Sequence, residues 1–497
     1  MSEDSEIESV SSLKSVAEGA GLFFIGRIFS NAVGFLVNLA LTRSLGVGLY
    51  GMFSYLNAIF SVLYVITELG GDKSLMRFLP EYEENRKKQN IMITTAYFTS
   101  LFISLALAVV VYYIAPYIAE YTIDDPVFVD VLQLTVIIIP FNTLSNITLS
   151  IFKSIERMDY NVQVSSVLNP IVRLIFIGGA VLLGYSITGA AVGLIITSII
   201  VFTAGILILI TKTDLGRLRR PTMNQAKEYY NFSVPLTLAK SGSILYKRVD
   251  VLMVGFLLSS VAVGIYNLAV ILSTIIALPL TGFQQLFPPI ASRLYNNDKY
   301  DKLENTYSTV TRWIFTFAFF PSLFAISFSK EILQVFGEGF AEGSTVLSLF
   351  ILAQLVNSAV GPTGYLLVMA DHQYLDMINK LTAGIINIGL NYTLTIQYGL
   401  IGAAIATAGT LTAVNLARVV QVVYYENMIP YDMKYIKPLS AGIISYGTLY
   451  VSSQALAGYM LLVVGGILGG LSFVAVLLAL GFEQQDIDIL KSLLPTG

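Results

Sequence analysis

The sequence predicts an all-α integral membrane protein of about fourteen transmembrane helices, arranged as two parallel-repeat six-helix lobes plus a C-terminal helix pair. Three observations predict it. Of 497 residues, 55% are hydrophobic and only 12% charged, where soluble domains carry about 25% charged residues. Apolar windows of membrane-spanning length recur along nearly the whole chain, and in lipid such runs satisfy their backbone as helices. Finally, two short motifs return at nearly the same offset. The chain has no cysteine and one histidine, His372. That excludes disulfides, thiolate catalysis and Cys/His zinc sites.

Residues 1–17 are acidic and Ser-rich, with Glu3, Asp4, Glu6 and Glu8. A secretory signal needs a basic start before its apolar core, so this stretch reads as a cytoplasmic tail. Six spans near 18–42, 49–69, 91–116, 127–152, 161–183 and 189–211 make an N-terminal lobe, 18–211. Residues 212–228 form a basic cytoplasmic linker. Six more spans near 229–257, 261–291, 307–329, 343–369, 376–396 and 401–425 make a second lobe, 229–425. Residues 426–497 add spans near 436–455 and 458–481 and a cytoplasmic tail.

Of the 29 Lys and Arg residues, 20 fall in the N-terminal tail, the even-numbered connections and the C-terminal tail, with Lys380 and Lys437, at the edges of their spans, counted among them. Only Arg43 and Lys330 lie on the opposite side. The positive-inside rule then places both termini in the cytoplasm of a multi-pass plasma-membrane protein. The densest basic loops, Asp72–Lys88 and Lys212–Lys227, read as headgroup anchors. No connection is long enough to form a domain, so the function has to lie within the helix bundle.

Gly46-Val47-Gly48-Leu49-Tyr50 resembles Ala262-Val263-Gly264-Ile265-Tyr266, and Thr188-Gly189-Ala190-Ala191-Val192 resembles Ile401-Gly402-Ala403-Ala404-Ile405. The offsets, 216 and 213 residues, imply one duplicated unit of about six helices. Six is even, so both copies share an orientation, an arrangement in which two halves enclose a central site.

Polar residues form stripes inside the apolar runs. Arg27, Asn31, Gly34 and Asn38 share one helical face, as do Ser166, Asn169, Pro170 and Arg173. In the second half, Lys240 and Lys247 share a face beside Asp250, with Arg248 turned away, and Lys380, Gly384, Asn387 and Asn391 form a fourth stripe. Charge at membrane depth is costly and by default faces a polar cavity. Here it is mostly basic, which points to an anionic cargo; packing stripes and structural ion pairs are the bland alternative. Acids at depth are few, Asp250 and Glu68 at the end of the 49–69 run, and these are the candidates for coupling to an ion. Prolines such as Pro140, Pro170, Pro235 and Pro321 lie within spans, where they bend helices. There is no Gly-rich loop with Lys-Ser/Thr for ATP and no paired acids in an outer loop. No enzymatic activity, metal site, resident cofactor or nucleic-acid partner is expected.

With these features the chain resembles the polysaccharide transporter family, the lipid-linked oligosaccharide or O-antigen flippases of the multidrug/oligosaccharidyl-lipid/polysaccharide superfamily. The likeness begins with Gly26-Arg27 and Asn38-Leu39-Ala40-Leu41-Thr42-Arg43-Ser44-Leu45-Gly46. It continues through Tyr50-Gly51, Leu69-Gly70-Gly71, Arg248-Val249-Asp250, Gly255 and Val263-Gly264-Ile265-Tyr266. The chain departs from the family at Val47-Gly48-Leu49, where polar residues are usual. The resemblance implies a two-lobed bundle with a cationic central cavity and alternating access. It implies movement of polyprenyl- or dolichyl-(pyro)phosphate oligosaccharides from the cytoplasmic to the outer leaflet, for cell-surface polysaccharide or glycoprotein biosynthesis. Arg27, Arg173, Lys240, Lys247 and Arg248 would hold the phosphate, and Asn31, Asn38, Asn169, Asn387 and Asn391 would meet sugar hydroxyls. Asp250 or Glu68 would couple transport to H+ or Na+. Membrane lipids and a glycan polymerase or glycosyltransferases are the expected partners. The competing readings are a cation-coupled multidrug or metabolite antiporter of the same superfamily, and a scaffold that recruits glycan enzymes.

Overall fold

The computed structural model describes the backbone of residues 3–481 and the side chains of 26–237 and 248–481. Among the described residues there is no strand. The chain divides into two compact units, Met1–Gly264 and Ile265–Gly497. Nine helices among the described residues are long and apolar enough to cross a membrane, or ten when a pair bent by 44° is taken as one span.

The first unit holds α1 (Glu3–Glu68), α2 (Gly71–Glu81), α3 (Arg86–Glu120), α4 (Pro126–Thr135), α5 (Ile138–Ser154), α6 (Met158–Leu182), α7 (Ile187–Lys212), α8 (Met223–Leu257) and the start of α9 (Ser260–Tyr295). The predicted spans 18–42 and 49–69 both lie on α1, which is broken at Gly46 (φ 70°, ψ 179°). Only glycine tolerates that backbone, because a Cβ would clash. Tyr50 Oη donates to Asn38 Oδ1 at 3.0 Å. Twelve residues of straight helix would separate them by about 18 Å, so the chain folds back at Gly46 as a helical hairpin.

In lipid, acyl chains are as apolar as Leu, so helices associate through close packing of small residues and interhelical hydrogen bonds. Both are present here. A Cβ on Gly51 would lie 1.7 Å from the Ser260 carbonyl oxygen, and one on Gly264 would lie 2.4 Å from that of Val47. Two of the stretches that mark the repeat therefore touch backbone to backbone. The centre of the unit is α5, which packs on α1, α2, α3 and α7 and buries most of its residues. Hydrogen bonds tie it to its neighbours, Thr67 to Thr143 at 2.7 Å and Tyr97 to Thr148 at 2.6 Å. The α8 helix, expected to open the second lobe, packs on α1 within this unit.

The linker before α8 is laid along α3 rather than looped away from it. Arg217 N–H donates to Asn90 Oδ1 at 2.9 Å and Arg219 N–H to Thr94 Oγ1 at 3.0 Å, while Leu215 is buried. Thr222 and Gln225 then form a reciprocal capping box that starts α8. Tyr82 donates to Glu228 and ties the end of α2 to α8. Burial, and then the Glu228 carboxylate, push the Tyr82 phenol up to about 12.

The second unit holds the rest of α9, then α10 (Tyr300–Ser327), α11 (Ser329–Phe336), α12 (Glu338–Met369), α13 (Gln373–Glu426), α14 (Ile436–Ala455) and α15 (Gly458–Ala479). The predicted spans 376–396 and 401–425 are the two limbs of α13, broken at Gly399 (φ 58°, ψ −138°). Side chains zip the limbs together. Asn379 and Gln421 exchange bonds of 2.6 and 3.0 Å, Arg418 donates to Asp376 at 2.7 Å, and His372 meets Glu426 at 2.9 Å. Residues 42 apart on a straight helix would lie about 63 Å from each other, so α13 is also a hairpin. The C-terminal pair α14 and α15 packs together, with Ser445 Oγ donating to the Gly469 carbonyl at 2.8 Å, and both helices touch α10.

Candidate functional site

The α6 helix carries the stripe with Arg173, and it is not a uniform α-helix. Wide π-helical turns at Gln163–Leu168 and Leu174–Gly178 flank a short α-helical stretch, Asn169–Arg173. Pro170 has no amide hydrogen to give the preceding turn, and the π turn absorbs that mismatch. Such bulges re-aim the side chains between them and are common at functional sites.

Arg173 is half-buried, and its Nε is buried with no hydrogen-bond partner. Tyr64 of α1 is its electrostatic neighbour. The Tyr64 hydroxyl accepts from Asn142 Nδ2 at 2.8 Å and also lies within reach of the Glu68 charge. Glu68 is buried and accepts from Asn146 Nδ2 at 2.8 Å. Tyr64, Thr67 and Glu68 on α1 thus meet Asn142, Thr143 and Asn146 on α5 in one polar seam, with Arg173 beside it. A guanidinium offers a planar fork of donors suited to phosphate or carboxylate oxygens. A buried carboxylate, here bonded by the Asn146 amide, is the kind of group that attracts a small cation. The seam joins one group of each kind.

The other predicted residues fall as follows. Arg27 and Asn31 are exposed on the first limb of α1, which runs alongside α6: Gly26 abuts Val162 and Ser166, and Gly178 abuts Ala40. Asn169 is half-buried. Asn38 uses both ends of its amide inside the α1 hairpin, donating to the Gly34 carbonyl at 2.9 Å and accepting from Tyr50. On α8, Arg248 is half-buried and Asp250 is buried, its Oδ1 accepting from Val251 N–H at 2.8 Å. The side chains of Lys240 and Lys247 lie outside the described residues. In the second unit Asn387, Asn391 and Thr395 are buried one turn apart on α13, and their side-chain oxygens have no hydrogen-bond partner. Asn391 Nδ2 donates to Thr407 Oγ1 at 3.2 Å, and Tyr266, the repeat counterpart of Tyr50, donates to the same hydroxyl at 3.0 Å. Lys380 is held by Asp376 at 2.5 Å.

Sequence reasoning missed Tyr64, Asn142 and Asn146, and in the second unit the buried acid Asp376 and its partner Arg418. The Asn142/Asn146 pair carries the same i, i+4 polar signal that singled out Arg27 and Asn31. Among the described residues no three His, Asp or Glu side chains gather as a metal site would require.

Hairpin-built units of apolar helices, with charged groups buried between the helices, define a multi-pass membrane protein of the transporter class. Residues 16–294 match the family model described as polysaccharide biosynthesis protein, and with more than half its length matched the chain belongs to that family. Residues 235–393 also match the MatE family model. Among curated relatives, the probable low-salt glycan biosynthesis flippase Agl15 of Haloferax volcanii is 25% identical over 262 residues, covering 51% of this chain and 54% of that protein. The match therefore spans about half of that relative's length. Among solved structures, the lipid II flippase MurJ in an inward closed conformation superposes with TM-score 0.74 at 18% identity, covering 92% of this chain and 97% of that one. An inward-facing multidrug resistance MATE family transporter of the MOP superfamily superposes with TM-score 0.65 at 14% identity, covering 81% and 98%. At these identities the structural likeness establishes the fold.

Proposed function

We propose that the protein is a flippase, moving polyprenyl- or dolichyl-(pyro)phosphate-linked oligosaccharide from the cytoplasmic to the outer leaflet by alternating access, for cell-surface polysaccharide or glycoprotein biosynthesis. The observation that carries this reading is Arg173, a cation between helices with a buried donor that no protein group satisfies. An anionic headgroup cannot cross hydrocarbon unaided, and a fixed cation lowers that barrier. The names of the family and of its haloarchaeal relative support the same direction. In this reading the lobes lie near 18–211 and 229–425. Arg27, Arg173, Lys240, Lys247 and Arg248 meet phosphate, and Asn31, Asn38, Asn169, Asn387 and Asn391 meet sugar. The protein sits in the plasma membrane with both termini cytoplasmic, driven by a coupling ion at Glu68 or Asp250 and working beside a glycan polymerase or glycosyltransferases.

The test is made on cells lacking the gene. Their lipid-linked glycans are extracted, identified by mass spectrometry and assigned to a leaflet by accessibility to an external enzyme. The expected result is one glycolipid accumulating in the inner leaflet and restored to the outer by the wild-type gene. An Arg173→Gln gene at equal expression should restore it at least about tenfold more slowly, since a charge-assisted hydrogen bond contributes about 1.5–3 kcal/mol. The second reading, a cation-coupled multidrug or metabolite antiporter, is favoured by the MatE match and by buried Glu68. Unchanged glycolipid sidedness in a strain without a redundant transporter, with dye efflux lost on Glu68→Gln, would replace the flippase with it.

A further inference from the structure

Apart from the polar seam of α1 and α5, the first unit carries a groove on its surface. It encloses about 670 Å³ between α3, the linker and the start of α8, with Phe98 and Phe102 on one wall, Ala226 and Tyr230 on the other and Arg220 at its mouth. Phe98 is 57% exposed and Phe102 75%, as expected of side chains meant for acyl chains rather than for protein. The groove has fixed walls. Thr99 Oγ1 and the Tyr230 hydroxyl bridge α3 and α8 at 2.7 Å, and the Arg219 N–H bond to Thr94 pins the linker beside the mouth.

Its charge is arranged to match an anion. Arg217, Arg219 and Arg220 are all exposed, and none has an ion pair among the described residues. Depth is graded along α3: the helix opens with Arg86, Lys87 and Lys88, and its apolar run starts at Ile91. From Thr94 at the mouth to Phe102 the helix rises about 12 Å, most of one leaflet's share of a hydrocarbon core about 30 Å thick. A guanidinium at the boundary and an aromatic trough running inward match an amphiphile with a phosphate head and a long chain. We infer that this groove is a binding site for one anionic phospholipid of the leaflet that borders the Lys212–Lys227 linker, its phosphate on Arg220 and its chain along Phe98 and Phe102.

The site is tested by binding, so its fate is separate from that of the transport reading. The purified full-length protein is equilibrated in mixed micelles with phosphatidylglycerol or phosphatidylcholine, and retained lipids are counted by native mass spectrometry. Wild type should retain one phosphatidylglycerol at least about tenfold more strongly than phosphatidylcholine. Arg220→Gln should lose most of that preference, because a charge-assisted phosphate contact is gone. Ala226→Trp, which fills the groove and leaves the arginine in place, should lower retention of both lipids. Each variant is accepted only with wild-type elution and melting behaviour. Equal retention of the two lipids by wild type, or unchanged phosphatidylglycerol retention in both variants, overturns the site. Displacement of the lipid by excess inorganic phosphate alone would mean that a free anion, not a lipid, is recognised, and would overturn it as well.

Discussion

Asp376 is 4% exposed and lies between two cations of unequal standing. Arg418, with its side chain 16% exposed, reaches it from the opposite limb of α13 at 2.7 Å, and Lys380, 60% exposed, from one turn along its own limb at 2.5 Å. Removing a partner from a buried pair strands the other charge in low dielectric and costs about 3–5 kcal/mol. An exposed pair contributes at most about 1 kcal/mol. Asp376→Asn should therefore lower the melting temperature of the purified protein far more than Lys380→Gln, and equal shifts would show that the buried network does not hold the hairpin. The i, i+4 spacing of Asp376 and Lys380 is visible in the sequence. Arg418 is not visible as a partner, because its place depends on the register in which two limbs 42 residues apart come together. The same is true of the seam: Glu68 was legible as an acid in an apolar run and Tyr64 stands one turn before it on α1, whereas Asn142, Asn146 and Arg173 join them only through the packing of α5 and α6.

At the scale of elements, two glycines decide where spans end. Gly46 and Gly399 both have positive φ, and hydrogen bonds across each turn show that the chain reverses there. The sequence placed span boundaries at both turns because apolar runs stop and restart around them. Pro170 marked a bend in α6, but the sequence did not show that the bend is taken up as two π turns on either side of Asn169–Arg173. Nor did it show the linker lying along α3, since Asn90 and Thr94 read simply as polar residues opening a span. Gly399→Ala forces a Cβ into a backbone region that L residues avoid and should destabilise by about 1–3 kcal/mol. Gly409, on the same helix, has open space around its Cβ position and no positive φ. Gly409→Ala should be neutral or stabilise by up to about 1 kcal/mol. Thermal melts of the two variants check this directly, and a larger loss at Gly409 would refute the turn assignment.

At the scale of the whole molecule, the distribution of charge and the internal repeat make one joint claim about sidedness. Moving many Lys and Arg residues across a bilayer is unfavourable, so the side holding 20 of the 29 should stay cytoplasmic. Independently, a parallel repeat of six helices puts equivalent turns on the same side. Ser186, at the turn before α7, and Gln397, near the tip of the α13 hairpin, are equivalent by the 213-residue offset to within two positions, and both are exposed. Asn297, between α9 and α10, is exposed in a basic connection. Because the natural chain has no cysteine, single substitutions Ser186→Cys, Gln397→Cys and Asn297→Cys each give one unambiguous label site. A membrane-impermeant maleimide should label the first two in intact cells and the third only after permeabilisation. Labelling of Ser186→Cys and Gln397→Cys from opposite sides would make the repeat inverted and remove the two-lobed parallel architecture. Labelling of all three with the sides exchanged would keep the repeat but place both termini outside, against the charge distribution.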